Sequence, residues 1–270
     1  MKTAHPRRGF LPSQIEDPVA WVGHLPFAYW FTGVVRPQVF FELGTHSGNS
    51  YFTFCQAVLE HGLQTRCNAV DLWTGDRHSG AYESTIYESV VRRNRELYSE
   101  YSSLWRMSFD EAVSKVPDGS IDLLHIDGLH TYEAVRHDYE TWKPKLAEGA
   151  WVLFHDTHVR EGDFGVWRFW DEIKTHYPKN LEFTHSHGLG VISTGVGKQE
   201  AWMVPNSSEQ LQLVESFEIQ GRSLLAWHEK SKKRKRKMVG RLWDRLFPAH
   251  PLGLGTLSLV SDVRRNQPRN

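Results

Sequence analysis

Histidine and aspartate side chains follow two apolar runs of this sequence, at the points where the runs end. The runs lead into HIDGLH at residues 125–130 and FHDTH at residues 154–158. If the runs are neighbouring parallel strands, their carboxyl ends face one crevice and bring five polar side chains together: Asp127, His130, His155, Asp156 and His158.

Two chemistries suit such a group of side chains. One is general base catalysis by His130 or His155, since an imidazole has a pKa near neutrality. The other is a divalent metal held by Asp127 and Asp156. Asp127 belongs to the candidate catalytic set with the two histidines.

A glycine-containing turn, ELGTHSGNS at residues 42–50, follows the first apolar run. Gly44 and Gly48 allow the backbone to approach a ligand closely, and the start of a helix offers free N–H groups. The dinucleotide fingerprint GxGxxG is absent, because the next glycine after Gly44 is Gly48. Glu42, two residues before the first glycine, suits a ligand with a positive amino group, such as the amino-acid half of S-adenosylmethionine.

The next two predicted strand ends add candidates for cofactor binding. Asp71 ends the second run, where an acid in an open α/β sheet commonly accepts ribose hydroxyls. Trp73 is placed to stack on a base, and Ser108 lies where an adenine edge would fall. The predicted cofactor site has nine members: Glu42, Gly44, Thr45, Gly48, Ser50, Asp71, Trp73, Ser108 and Asp127.

Apolar runs alternate with amphipathic stretches, which indicates the α/β fold that must position these residues. Five βα steps and a final hairpin predict an open, Rossmann-like sheet of seven strands, mostly parallel, with the last strand antiparallel. Strands are predicted at Val39–Gly44, Arg66–Asp71, Leu104–Phe109, Ile121–Asp127, Ala150–Asp156, Leu181–His185 and Gly190–Ser193. Helices are predicted at Asn49–His61, Tyr82–Tyr101, Asp110–Lys115, Thr131–Leu146 and Val166–His176.

Long motifs in a fixed order resemble a bacterial family. They are the turn at 42–50, VDLWTGDRHSGAY at 70–82 and IDLLHIDGLHTY at 121–132, continued by VLFHDT, FGVW and HGLGV. The family is the class I S-adenosylmethionine-dependent methyltransferases encoded near, or fused to, glycosyltransferases of surface-polysaccharide clusters. The resemblance covers about residues 35–195 and implies a Rossmann-like methyltransferase with S-adenosylmethionine as its cofactor.

The glycine turn is also distantly similar to that of catechol O-methyltransferase-like enzymes. This similarity implies a divalent metal, Mg²⁺, Mn²⁺ or Zn²⁺, held by an acid after the fourth strand and a pair of residues after the fifth. Asp127 and Asp156 match these ligands by position. His155 stands where those enzymes use an oxygen ligand, and an imidazole favours Mn²⁺ or Zn²⁺ over Mg²⁺.

The function predicted from the sequence is methyl transfer from S-adenosylmethionine to an oxygen of a sugar or other polyhydroxylated acceptor. The acceptor class follows from the resemblance alone. The loop Trp73–Tyr82 is predicted to lie over the site, with Asp76, His78 and Tyr82 facing the acceptor. Two alternatives stay open: a non-catalytic cofactor-binding scaffold for a glycosyltransferase, and a methyltransferase directed at RNA through the basic end of the chain.

Charge divides the chain into an acidic body and a basic end. The formal net charge is zero, yet residues 228–270 hold twelve lysines and arginines against three acids. This basic end suits an anionic membrane surface, nucleic acid or solvent. We predict an N-terminal cap at 1–38, a methyltransferase domain at 39–200, a C-terminal helix at 201–228 and a flexible basic tail at 229–270.

The remaining composition indicates a cytoplasmic protein. Cys55 and Cys67 form neither a disulfide framework nor a zinc pattern. No run of about 18 apolar residues occurs, and the start MKTAHPRRGF lacks the apolar core of a signal peptide. Peripheral attachment at the inner membrane face is expected if the basic end binds lipid.

Overall fold

Seven strands form the central sheet of the protein. The computed structural model describes residues 10–195 and 201–246. The strands are β1 (Val39–Leu43), β2 (Arg66–Asp71), β3 (Ser102–Arg106), β4 (Ile121–Ile126), β5 (Leu146–His155), β6 (Asn180–Phe183) and β7 (Leu189–Ser193). Their order is β3-β2-β1-β4-β5-β7-β6, and only β7 runs antiparallel to its neighbours. The predicted Rossmann-like sheet is confirmed.

Helices cover both faces of this sheet. They are α1 (Leu25–Val35), α2 (Asn49–Glu60), α3 (Ser84–Leu97), α4 (Phe109–Val113), α5 (Tyr132–Trp142), α6 (Val166–Ile173) and α7 (Ser208–Leu246). Because side chains alternate along a strand, Phe40 of β1 packs into one core with Phe54 of α2, and Phe41 packs into the other with Trp142 of α5. The strands are therefore buried on both sides, which explains their continuous apolar runs.

Several element boundaries differ from the sequence prediction. β3 ends at Arg106 instead of Phe109, because Ser108 caps α4: its Oγ accepts the N–H of Glu111, whose carboxylate accepts the N–H of Ser108. β5 begins at Leu146 instead of Ala150, since α5 ends at Trp142 and Leu146 pairs with the first residue of β4. The helix predicted over 82–101 is shorter, at Ser84–Leu97.

The N-terminal part of the described chain packs on the sheet through α1. Pro26 lies in the first turn of α1, where its missing N–H leaves no hydrogen bond unmade. Phe27 and Phe31 of α1 are buried in the same core as Phe54 of α2. Trp21, just before α1, lines the cavity described below, so the segment predicted as a cap contributes to the candidate site.

The last helix is longer than the sequence prediction. α7 begins at Ser208 and continues through the lysine-rich run to Leu246, instead of ending at residue 228. Glutamate, lysine and arginine are good helix formers, and residues 229–246 contain no proline. The chain divides into two units, one ending at His228 and one beginning at Glu229. Residues 247–270 of the predicted basic tail lie outside the described part of the chain.

Membrane-spanning helices are absent from the described residues, because none of their helices combines sufficient length with sufficient apolar character.

Candidate active site

A cavity of about 630 Å³ lies at the carboxyl ends of β1 to β5. Strand order reverses between β1 and β4, and ligands of open α/β sheets bind at such a point. The lining includes nine residues predicted to bind cofactor or metal or to act in catalysis, and the three loop residues predicted to face the acceptor. The nine are Gly44, Thr45, Ser50, Asp71, Ser108, Asp127, His130, His155 and Asp156, and the three are Asp76, His78 and Tyr82. The sheet therefore brings most of the predicted cofactor and catalytic residues into one space.

The glycine turn depends on Gly44. Its φ of +85° is a left-handed conformation, and a Cβ at this position would lie 2.0 Å from the carbonyl oxygen of Asp127. Only glycine allows the ends of β1 and β4 to approach so closely. The turn beyond it exposes Thr45 to the cavity, and Thr45 Oγ1 is buried without a hydrogen-bond partner among the described residues.

Asp71 organises the loops around the glycine turn. Its Oδ2 accepts the N–H groups of Thr45 and His46 at 2.9 Å each, and its Oδ1 accepts the N–H of Trp73 at 2.6 Å. A carboxylate has about four acceptor sites, so Asp71 can still accept a hydroxyl from the cavity. This role of Asp71 in holding the loops was not predicted from the sequence.

Glu42 lies behind the cavity and does not line it. Its carboxylate is fully buried, and its Oε2 is 2.8 Å from His125 Nδ1. Trp21 Nε1 donates to His125 Nε2 at 3.2 Å, so the proton of this imidazole is on Nδ1 and donates to Glu42. Burial raises the pKa of Glu42, although the bond from His125 opposes the shift. Its Oε1 is buried without a hydrogen-bond partner among the described residues, so the cofactor contact predicted for Glu42 stays a prediction.

Two further cofactor candidates have structural positions instead. Trp73 is 3% exposed, its Nε1 donates to the carbonyl of His46 at 3.0 Å, and its ring packs 4.9 Å from that of Tyr87. It cannot stack on a base from there, and Leu72 lines the cavity in its place. Gly48 precedes α2 with a φ of +81° and faces the ring of Phe52.

A cluster of candidate catalytic and metal-binding residues comprises Asp127, His130 and Asp156. One ligand atom from each lies within 4.8 Å of the others. His130 Nε2 is 3.0 Å from Asp156 Oδ2 and 3.6 Å from Asp127 Oδ1. Burial opposes the charge of this imidazole, but the two carboxylates outweigh burial and raise the pKa of His130 to about 9. In the absence of another cation, His130 is thus protonated at neutral pH.

His155 is more deeply buried than His130, and the protein engages both of its ring nitrogens. Nδ1 lies 3.2 Å from Asp127 Oδ1, and Nε2 lies 3.1 Å from the carbonyl oxygen of Ser186. Burial lowers the pKa of His155, but the charges of Asp156 and Asp127 outweigh burial and raise it well above the usual value. Burial also opposes ionisation of both aspartates, yet the nearby imidazoles keep their pKa values low.

His158 does not join the cluster, contrary to the sequence prediction. It lies beyond the turn at Asp156, whose φ is +60°, and its Nε2 is 3.0 Å from Glu182 Oε1. His187 was not predicted as a site residue, but its Nδ1 lies 3.1 Å from Asp156 Oδ1. The motif HGLGV contains this histidine, and its position in the last hairpin was the available signal.

The loop predicted over the site forms one wall of the cavity. Gly75–Asp76 pairs with Gly80–Ala81 in a short hairpin, and His78 at its tip has Nδ1 3.2 Å from His130 Nδ1. Asp163 Oδ1 accepts from His78 Nε2 at 2.6 Å. The ring of Phe164 stacks on His130 at 4.8 Å. Phe164 lines the cavity and Asp163 holds His78 through its carboxylate, and neither was predicted as a site residue.

Comparisons with known proteins agree with this architecture. Residues 41–157 match the family described as a methyltransferase domain. The uncharacterized protein y4gI of Sinorhizobium fredii is 48% identical over 176 residues, which are 65% of this chain and 19% of that protein. This chain therefore spans about a fifth of the length of its curated relative.

One of two solved structures compared with this chain shows a similar fold. A Staphylococcus aureus protein, provisionally named caffeoyl-CoA O-methyltransferase, is 14% identical with a TM-score of 0.50, over 67% of this chain and 85% of that chain. The O-methyltransferase TomG of Streptomyces achromogenes, solved with S-adenosylmethionine, is 17% identical with a TM-score of 0.45, over 67% and 92%. The first of these likenesses shows a shared fold.

Proposed function

We propose that this protein transfers a methyl group from S-adenosylmethionine to a hydroxyl oxygen of a sugar or other polyhydroxylated acceptor. The observation that carries the proposal is the arrangement of the glycine turn, Asp71 and the Asp127–His130–Asp156 cluster around one cavity. The match of residues 41–157 to a methyltransferase domain supports the same activity.

The residues near the glycine turn fit the cofactor. Asp71 retains acceptor capacity toward ribose hydroxyls, and the buried Thr45 Oγ1, which has no hydrogen-bond partner in the described part of the chain, can bond a ligand. Ser50 and Ser108 add hydroxyl groups to the same lining. When bound, S-adenosylmethionine supplies a methyl group on a positively charged sulfur, which a nucleophilic oxygen can attack in line.

His130 is the histidine best placed to handle the acceptor proton. It lines the cavity with its side chain 17% exposed, whereas the side chain of His155 is only 3% exposed. The carboxylates of Asp127 and Asp156 hold the His130 ring in place through Nε2. A base in contact with the acceptor hydroxyl must first release the proton that these carboxylates stabilise.

The same three side chains also fit a divalent metal. Two carboxylate oxygens and one imidazole nitrogen within 4.8 Å of one another form a mixed donor set, which suits Mn²⁺ or Zn²⁺ better than Mg²⁺. In this proposal His130 is a third donor beside Asp127 and Asp156, which were predicted from the sequence. When bound, such an ion supplies Lewis-acid polarisation of the acceptor hydroxyl.

Labelled-methyl transfer, assayed with and without chelation, tests both the function and its chemistry. We expect wild-type protein to label a sugar or lipid-linked glycan acceptor, and we expect Asp127→Asn and Asp156→Asn to lose at least about 100-fold in rate, because either mechanism requires both carboxylates. Asp118→Asn is the matched control, since Asp118 is exposed and paired with Lys145 away from the cavity. Metal dependence predicts loss of transfer after chelation and recovery with Mn²⁺ or Zn²⁺.

The other outcomes identify the alternatives. Full activity with negligible metal content would exclude the metal and leave His130 as the base. Cofactor binding without transfer to any acceptor would favour a scaffold for a glycosyltransferase, and transfer to RNA alone would favour an RNA methyltransferase. Absence of cofactor binding would contradict the proposed function.

A further inference from the structure

Asp138, on the buried side of α5, is a carboxyl group that the proposed mechanism does not use. The residue is 7% exposed and lines the cavity. No group among the described residues hydrogen bonds its carboxyl oxygens, although burial of a charged or polar group without a partner is costly. A buried acid that faces a ligand cavity without a protein partner indicates that the ligand supplies the partner.

Its neighbours fix its place in the cavity. A Cβ on Gly128 would lie 3.1 Å from Asp138 Oδ2 and 2.6 Å from the ring of Phe109. Asp138 is therefore beside the end of β4, next to the aromatic ring that begins α4. Two charged groups, Asp110 and His137, lie near it, and His137 Nε2 is 2.8 Å from Asp110 Oδ1.

This part of the cavity has the surfaces that a flat heterocycle requires. Leu72, Met107 and Phe109 line it, and none of the three offers a side-chain hydrogen bond to a polar ring edge. With the ribose at Asp71 and the methyl donor near Asp127, as the proposed function requires, the base extends toward these apolar side chains. Ser108 also lines the cavity, but its Oγ already donates to the carboxylate and accepts from the N–H of Glu111, and Asp110 is paired with His137. Asp138 is therefore the polar side chain left to meet the edge of the base.

We propose that Asp138 recognises the N1 and N6 edge of the adenine ring in the bound nucleoside cofactor. This inference rests on the proposed function. The N6 amino group donates hydrogen bonds and N1 accepts one, so a carboxyl group can accept from N6 and, when protonated, donate to N1. Burial raises the pKa of Asp138 to about 7, which keeps the protonated form available near neutral pH.

Calorimetric binding of two ligands tests this assignment without any turnover. The ligands are S-adenosylhomocysteine and its 6-oxo analogue S-inosylhomocysteine, in which a carbonyl replaces the N6 amino group. We expect wild-type protein to bind the adenosyl ligand at least about tenfold more tightly at pH 8, where the ionised carboxylate faces the carbonyl of the analogue. In Asp138→Ala we expect adenosyl binding to weaken by about tenfold or more and the preference to fall below about threefold.

Two further variants separate recognition from folding. Asp138→Asn keeps the size of the side chain and carries both a donor and an acceptor, so it should bind S-adenosylhomocysteine within about threefold of wild type. Glu140→Ala, an exposed acid on the same helix, should change neither affinity. Thermal melts of each variant verify that it is folded.

The contradicting results are distinct. If folded Asp138→Ala binds the adenosyl ligand as tightly as wild type, or loses the same factor for both ligands, Asp138 does not recognise the adenine edge. If wild-type protein binds neither ligand, the proposed function itself is wrong and this inference fails with it.

Discussion

Asp71 holds the cavity together at the scale of a single residue. Three backbone N–H groups, from Thr45, His46 and Trp73, converge on its two oxygens. Hydrogen bonds to a charged acceptor each contribute about 1.5–3 kcal/mol, so loss of the carboxylate leaves several donors unsatisfied. The loop conformation and the ligand contact therefore depend on the same side chain.

Replacement of Asp71 should accordingly affect stability and ligand affinity together. We expect Asp71→Ala to lower the free energy of unfolding by at least about 1.5 kcal/mol and to weaken S-adenosylhomocysteine binding by about tenfold or more. Urea unfolding and calorimetry measure the two effects. Unchanged affinity in a folded variant would show that Asp71 has no part in the ligand site.

Asp138 should make stability depend on pH in a particular direction. Its pKa is raised to about 7 by burial, whereas an unfolded aspartate has a pKa of about 3.9. Between these values the folded protein holds a proton that the unfolded chain has released, so its contribution to the free energy of unfolding falls as pH rises from about 4 to about 7. The maximum slope is about 1.4 kcal/mol per pH unit.

An asparagine side chain does not titrate, so Asp138→Asn should not show this fall in the free energy of unfolding as pH rises. Urea unfolding of both proteins at pH 5 and pH 7, without ligand, gives the comparison. The wild type should lose more stability than the variant between the two pH values. Equal losses would mean that the pKa of Asp138 is not raised.

Trp73 was assigned the wrong position from the sequence because residue spacing does not show where the chain turns. Trp73 and Asp71 are two positions apart, and sequence spacing alone could not show that the chain turns at Trp73, with a φ of +51°, and buries the indole. Asp138 was also missed, but the sequence contains a pattern from which it could have been found. It lies among Val135, Tyr139 and Trp142 at helical spacing, and an acid on the apolar face of a helix is a candidate for a buried site.

At the scale of elements, the cavity depends on how closely two strand ends approach. Gly44, directly after β1, lies against the carbonyl of Asp127, which follows β4. Gly119, in the loop before β4, also has a positive φ, of +66°, but a Cβ there would meet nothing within 4 Å. The two glycines thus share a backbone conformation and differ in available space.

Alanine at these two glycines should separate conformational cost from steric cost. We expect Gly119→Ala to destabilise the protein by about 1 kcal/mol, the cost of a left-handed alanine. Gly44→Ala should cost about 1–3 kcal/mol more, because β1 or β4 must shift, and should also weaken S-adenosylhomocysteine binding. If urea unfolding shows similar losses of stability for Gly44→Ala and Gly119→Ala, the ends of β1 and β4 can move apart at little cost.

Hydrophobic periodicity made the elements predictable, and their boundaries less so. All seven strands and the antiparallel β7 follow from apolar runs, because strands buried on both faces have few polar residues. The ends depend on contacts that spacing does not show. The capping hydrogen bonds of Ser108 and the pairing of Leu146 with Ile121 decided where β3 ended and β5 began.

At the scale of the whole molecule, the candidate active site and the lysine-rich run belong to different parts of the chain. The cavity residues belong to the unit that ends at His228, and the lysine-rich run belongs to the unit that begins at Glu229. The division follows the charge pattern of the sequence, in which the basic residues cluster after residue 228. We propose that the basic unit binds an anionic membrane surface.

Truncation at residue 228 tests this division. Removal of residues 229–270 should leave S-adenosylhomocysteine affinity within about twofold of wild type. It should reduce sedimentation with phosphatidylglycerol vesicles, since each lysine or arginine near an anionic surface contributes about 1 kcal/mol. Neutral phosphatidylcholine vesicles are the control. Equal sedimentation of the two proteins would contradict membrane binding by the basic unit. It would favour a tail exposed to solvent or a nucleic-acid partner.

The hairpin wall of the cavity is fastened by an exposed ion pair. Arg77 Nη2 lies 2.7 Å from Asp163 Oδ2, and both side chains are more than half exposed. Dissolved salt screens such a pair, whereas the stacked rings of His78 and Phe164 beneath it are insensitive to ionic strength. Added salt should therefore weaken the Arg77–Asp163 ion pair and leave the stacking of His78 on Phe164 in place, so we expect the hairpin to stay packed on Phe164 at high ionic strength.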